Sequence, residues 1–102
     1  MMQQRRLGST DIELSVVGLG TAQLQMLPES KAVDTLVRGF DLGVNWVHSA
    51  PDYGGVEPWI AAAIRRTRTP VTMLAQGPGP LALLEPYFEN TCALLERDRL
   101  DV

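Results

Sequence analysis

Cysteine and histidine are almost missing from this chain. Its 102 residues hold one of each, His48 and Cys92, 44 positions apart. A single cysteine excludes an internal disulfide and suits a reducing compartment. One histidine and one cysteine fall short of every zinc pattern, so no metal site is expected. No Gly-x-Ser-x-Gly nucleophile elbow occurs. Positive charge is scarce as well: nine Lys and Arg against twelve Asp and Glu leave a net charge of −3. No basic stripe runs along the chain, and no nucleic-acid partner is expected. The longest basic cluster, Arg65-Arg66-Thr67-Arg68, falls where a helix should end, and cations there complement the helix dipole. No run approaches the roughly 18 apolar residues of a membrane span. No signal-type apolar stretch follows the polar start Met1-Met2-Gln3-Gln4-Arg5-Arg6. These absences predict a soluble, cytoplasmic protein with no membrane partner.

What is present is a core-forming composition, 45% hydrophobic, in one domain spanning residues 1–102. A strand-then-helix unit repeats through it. Residues 5–14 read as a lead-in hairpin, with turn chemistry at Gly8-Ser9-Thr10-Asp11. Leu14 to Gly20 reads as a buried strand. A first helix opens at Pro28, carries Val33, Leu36, Val37 and Phe40 on one face, and is capped by Gly43. A second strand follows at Val44–Val47, reaching toward His48. A second helix starts near Pro58 and ends near Arg66, with Trp59, Ile60, Ala63 and Ile64 on one face. Val71–Ala75 is a third strand. A third helix carries Leu84, Phe88, Cys92 and Leu95, with Cys92 as an inert packing residue. Arg99-Leu100-Asp101-Val102 opens a fourth strand.

Strand starts recur every roughly 28 residues, the size of one βα unit. Equal units without a change of direction favour a curling sheet, hence a (β/α) barrel. A full barrel takes eight units and about 250 residues. The expected fold is therefore α/β: the N-terminal half of a (β/α)8 TIM barrel, about three and a half βα units after the hairpin. Such a half leaves an open sheet edge and an uncovered face, both routes to self-association.

The chemistry concentrates in His48-Ser49-Ala50-Pro51-Asp52-Tyr53-Gly54, where a strand ends and a loop begins. Parallel α/β folds place their reactive groups there. Gly18-Leu19-Gly20-Thr21 makes a weak phosphate loop, since Gln23 stands where a third glycine is needed and no helix follows at once. Gln76-Gly77-Pro78-Gly79-Pro80 has two prolines that donate no N–H, so it suits a rigid pocket rim better than an anion nest.

Taken in order, these residues resemble the aldo-keto reductase family over nearly the whole chain. Arg5-Arg6-Leu7-Gly8-Ser9-Thr10 is similar to the family's lead-in hairpin. Gly18-Leu19-Gly20-Thr21 is similar to its first strand end, and Asp41-Leu42-Gly43-Val44-Asn45 to its first helix end. The stretch from His48 to Gly54 is similar to Asp-Thr-Ala-x-x-Tyr-Gly. The resemblance implies carbonyl reduction with NADP(H) and a small-molecule carbonyl substrate. A tyrosine donates a proton to the carbonyl oxygen, a lysine and an aspartate tune it, and a histidine orients the substrate. Here Tyr53 stands at the tyrosine position, His48 at the aspartate position and Gln76 at the lysine position. The fourth position would lie beyond Val102. Asp52, four residues past the aspartate position, is not a clear substitute.

Tyr53 and His48 are thus the candidate catalytic residues, and Gly20, Thr21 and Gln76 the candidate cofactor contacts. A free tyrosine titrates near pH 10, and proton donation works best from a group tuned toward the working pH. Gln76 carries no charge to do that tuning, although it can hydrogen-bond a phenol or an amide. A protonated His48 could replace the lost cation. The alternatives are a non-catalytic barrel-derived module for binding or regulation, and an inactive fragment.

Overall fold

Gly8, at φ 56°, turns the chain back on itself and closes a hairpin between β1 (Gln4–Arg6) and β2 (Glu13–Ser15). The strands pair antiparallel, Gln4 opposite Ser15 and Arg6 opposite Glu13. The computed structural model describes residues 2–102.

The single buried strand expected from Leu14 to Gly20 is broken in two. Its first part belongs to the hairpin, and only β3 (Leu19–Gly20) enters the parallel sheet. Polar side chains cause the break. The Ser15 hydroxyl donates to the Val17 carbonyl at 2.6 Å, bending the chain locally. Asn45 accepts from the Ser15 N–H at 2.8 Å and donates to the Glu13 carbonyl at 2.9 Å, tying the hairpin to the next unit. Val16 and Val17 are left about half exposed.

Helix α1 (Glu29–Asp41) forms as its periodicity requires, burying Ala32, Val33, Leu36 and Phe40. Gly43, at φ 102°, ends it. The Gly43 N–H donates to the Phe40 carbonyl at 3.0 Å and the Val44 N–H to the Gly39 carbonyl at 3.1 Å. This pair of bonds satisfies carbonyls that the helix end leaves free. It also moves the next strand: Val44 is engaged in the cap, so β4 runs Trp46–Ser49 and not 44–47. Helix α2 (Glu57–Arg66) and strand β5 (Thr72–Ala75) lie where the pattern puts them.

The three strands form one parallel sheet in the order β3-β4-β5. Val47 and Met73 face the helices and share a core with Leu36, Phe40, Ile60, Ala63 and Leu95. Phe40 is 1% exposed, and truncating such a ring costs about 3–5 kcal/mol. The opposite face, with Trp46, His48, Thr72 and Leu74, is half-buried. With all helices packed on one face, the sheet is part of a (β/α) barrel.

Helix α3 (Leu84–Leu95) departs from its expected face. Cys92 and Leu95 are buried, but Leu84 and Phe88 are 43% and 42% exposed. Its C-terminal half packs on α2, while its N-terminal half borders a cavity of about 580 Å³ beside Ala75, Gly77 and Leu100. Arg97 then straps the chain back: it bonds the Asp101 carboxylate at 2.9 Å and the Val71 carbonyl at 2.6 Å. Asp101 accepts the Met73 N–H at 2.8 Å. Val102 donates to the Met73 carbonyl and accepts from the Ala75 N–H, both at 3.1 Å. The fourth strand expected at Arg99–Val102 is not formed as an element of the sheet; only these two Val102 bonds to β5 are present. Among the described residues, no helix is long and apolar enough to cross a membrane.

Candidate active site

Alternation along β4 decides which side chains reach the open face. Val47 and Ser49 turn toward the helices, Trp46 and His48 toward the concave side. His48 therefore sits half-buried on the inner face, in register with Gly20 on one neighbour and Leu74 on the other. Thr21 fixes the strand end from beside it. Fully buried, its hydroxyl donates to the His48 carbonyl at 2.7 Å.

Tyr53 comes from the turn that follows. Its N–H donates to the Ala50 carbonyl at 3.2 Å, which folds the loop back over the strand end. Gly54 and Gly55, at φ 67° and 77°, then lead the chain into α2. A Cβ on Gly54 would lie 2.9 Å from the Cβ of Gln25, so a side chain there would part the two loops. The result is an edge-to-face contact between His48 and Tyr53, with ring centroids 5.7 Å apart and planes at 69°. Such pairs contribute about 0.5–1.5 kcal/mol beyond their buried area.

Of the five candidate residues, four form one group: Tyr53 against His48, Gly20 next to His48 in register, and Thr21 bonded to the His48 backbone. Gln76 directly follows the last residue of β5. Its N–H donates to the Ser49 carbonyl at 2.9 Å, and its side chain is exposed. Gly20 opens onto free space, since an added Cβ would meet nothing within 4 Å. The inner face beside His48 is thus open at Gly20. Thr21 offers its hydroxyl only to the backbone. No cluster of metal-ligating side chains occurs among the described residues. The chain's one lysine, Lys31, is exposed on the first turn of α1.

Sequence reasoning missed a second polar group, on the helix side of the same strand ends. Ser49 is fully buried and its Oγ has no hydrogen-bond partner. Glu57, in the first turn of α2, is 5% exposed. The Tyr87 hydroxyl on α3 is also buried without a hydrogen bond. Burial pushes the Tyr87 phenol above its ordinary value of 10.0; Thr91, one turn on, pulls the other way, and the Glu57 and Asp52 carboxylates add smaller upward contributions. Ser49 was legible as a helix-facing residue from the alternation of β4. Tyr87 had no such signal, because its surroundings depend on how α3 docks.

No protein-family model matches the chain. An uncharacterized oxidoreductase of Bacillus subtilis, YqkF, is 35% identical over 69 residues, which is 66% of this chain and 22% of that protein. A candidate aldo-keto reductase from Pseudomonas aeruginosa superposes with a TM-score of 0.80 at 29% identity, over 95% of this chain and 43% of that one. A thermostable aldo-keto reductase in complex with the inhibitor epalrestat gives 0.84 at 27% identity, over 97% and 40%. The holo form of an aldo-keto reductase from Bacillus halodurans gives the same fold, with 0.84 at 23% identity, over 98% and 38%. The chain thus spans 22% of the curated relative and about two fifths of the solved structures. A parallel βα sheet with its helices on one face and these likenesses together show that the chain is similar to the N-terminal portion of the aldo-keto reductase barrel.

Proposed function

We propose that the chain carries the tyrosine side of an NADP(H)-dependent carbonyl reductase site, acting on a small-molecule aldehyde or ketone. The observation that supports this most is the His48–Tyr53 contact at the C-terminal end of a parallel strand. When bound, NADP(H) supplies hydride to the carbonyl carbon. Tyr53 donates its Oη proton to the carbonyl oxygen, and the phenolate left behind recovers a proton from solvent. His48, in edge contact with the ring, orients the phenol. The open floor at Gly20 and the Gln76 amide suit the flat carboxamide-bearing end of the cofactor. Thr21 acts one step back, holding the His48 backbone. Arg65 and Arg66 close α2, near Glu96 and Asp34, so neither is assigned a phosphate. A reducing cytoplasm fits the buried, unpaired Cys92.

A second reading is a binding module without turnover. Lys31 lies on the first turn of α1 and Gln76 carries no charge, so no lysine of this chain tunes Tyr53. NADPH oxidation with small aldehydes separates the two readings. Tyr53→Phe keeps the ring and removes the proton, so turnover should fall about a hundredfold or more. NADPH binding with turnover indifferent to that change sinks the catalytic reading and leaves the binding one.

A further inference from the structure

We propose that Gln25 is a positioning residue, holding the Tyr53 turn in place against His48. For its catalytic consequence the inference rests on the reading of Tyr53 as proton donor; to that reading it adds the group that sets where the ring stands.

Two loops meet at the C-terminal ends of neighbouring strands. The loop after β3 is braced from within. The Leu24 N–H donates to the Thr21 carbonyl at 3.1 Å, the Met26 N–H to the Gln23 carbonyl at 3.1 Å and the Leu27 N–H to the Leu24 carbonyl at 2.9 Å. Leu24 itself is buried in the core. The Gln25 side chain is exposed, yet it is tied down at its tip: Nε2 donates to the Ala22 carbonyl at 2.8 Å. That bond removes most of the rotamer freedom of a long side chain and makes it a fixed surface.

The loop after β4 has less of its own to hold it. Among the described residues, the stretch 51–55 makes one backbone hydrogen bond, from the Tyr53 N–H to the Ala50 carbonyl at 3.2 Å. Gly54 and Gly55 both have positive φ and bring no side chain to pack. What Gly54 meets is Gln25. A Cβ placed on Gly54 would fall 2.9 Å from Gln25 Cβ, 3.0 Å from Gln25 Cδ and closer still to Gln25 Oε1. The Gly54 backbone is therefore seated on the Gln25 side chain, as close as only a residue without Cβ can come. Tyr53 immediately precedes that seat. Its ring packs partly on the core and meets His48 edge to face. Without the seat, a turn held by one backbone bond lets the ring drift, and a misplacement of about 1 Å costs catalysis up to about a hundredfold.

His48 is the single histidine of the chain, so its ring protons give unambiguous NMR signals, and the Tyr53 ring beside them displaces those signals. Tyr53→Leu supplies the reference position without the ring. In Gln25→Ala the His48 signals should move toward that reference while the thermal midpoint holds, since the residue is exposed. Gln25→Glu keeps the length but removes the donor to Ala22, and should move them the same way. In both variants kcat with small aldehydes should fall about tenfold at an unchanged KM, because the proton donor is displaced and the binding surface is not. His48 signals that stay at the parent position in a folded Gln25→Ala overturn the proposal. So does a kcat that stays at the parent value. If the variants do not fold, the unsubstituted chain decides: nuclear Overhauser contacts between the Gln25 amide protons and the Gly54 α-protons are expected, and their absence overturns the seat. A parent chain without turnover whose His48 signals still respond to Gln25→Ala sinks the reductase reading and leaves the positioning of Tyr53 standing.

Discussion

Replacing Gly18 by alanine places a methyl group against the Trp46 indole. The new Cβ would lie 2.5 Å from Trp46 Cδ2 and closer still to Cε2 and Cζ2, against a comfortable carbon–carbon separation of about 3.5–4.0 Å. Moving the ring aside breaks the bond that its Nε1–H donates to the Ser15 carbonyl at 2.9 Å. Either the indole leaves that bond or the backbone at the β2–β3 corner moves. Overpacking costs about 1–3 kcal/mol, and a lost hydrogen bond adds about 1 kcal/mol. Trp46 is half-buried and can relax toward the open face, which favours a total of about 2–3 kcal/mol. For a domain of this size that lowers Tm by about 10–20 °C. The assay is urea unfolding followed by Trp46 emission in a Trp59→Phe background, since these are the only two tryptophans. An unchanged midpoint together with an unchanged emission spectrum would refute the packing of Trp46 beneath Gly18.

Two further substitutions follow from the site. Thr21→Val keeps the volume and leaves the His48 carbonyl without its hydroxyl donor; a loss of about 1–3 kcal/mol in urea melts is expected, and a melt that matches the parent contradicts that bond. Tyr87 has a raised phenol pKa, and the sign of its pH effect is fixed. Below pH 10 both folded and unfolded states hold the proton. Above it the unfolded phenol ionises first, so stability falls as pH rises through the window above 10. Tyr87→Phe should flatten that fall in melts taken on either side of pH 10, and equal slopes in both proteins would remove burial as the cause.

The parts of the fold that the sequence made legible are those governed by local rules. Helical spacing marked Val33, Leu36 and Phe40, glycine chemistry marked the end at Gly43, and the apolar run 71–75 marked β5. The misses arose where a distant contact decided the outcome. Leu14–Gly20 reads as a strand by composition, yet Asn45, thirty positions on, holds Ser15 in the hairpin. Val44 is β-branched and strand-like, yet its N–H closes the cap of α1. Leu84 and Phe88 share the helical spacing of Cys92 and Leu95, but spacing alone does not say how much of α3 its neighbours cover. At the site, the motif led to Tyr53 and His48 and β4 alternation put His48 on the inner face. The engagement of Thr21 with the His48 backbone required three dimensions.

On the proposed function, NADP(H) binds at the strand ends around His48 and Tyr53. Mapping amide proton–nitrogen NMR shifts during an NADPH titration tests it most directly. The predicted result is a single cluster of shifted amides at Gly20, Thr21, His48, Tyr53 and Gln76, with Lys31 on α1 unmoved. Shifts confined to Arg65 and Arg66 at the far end of α2, or no shifts at saturating NADPH, would contradict it.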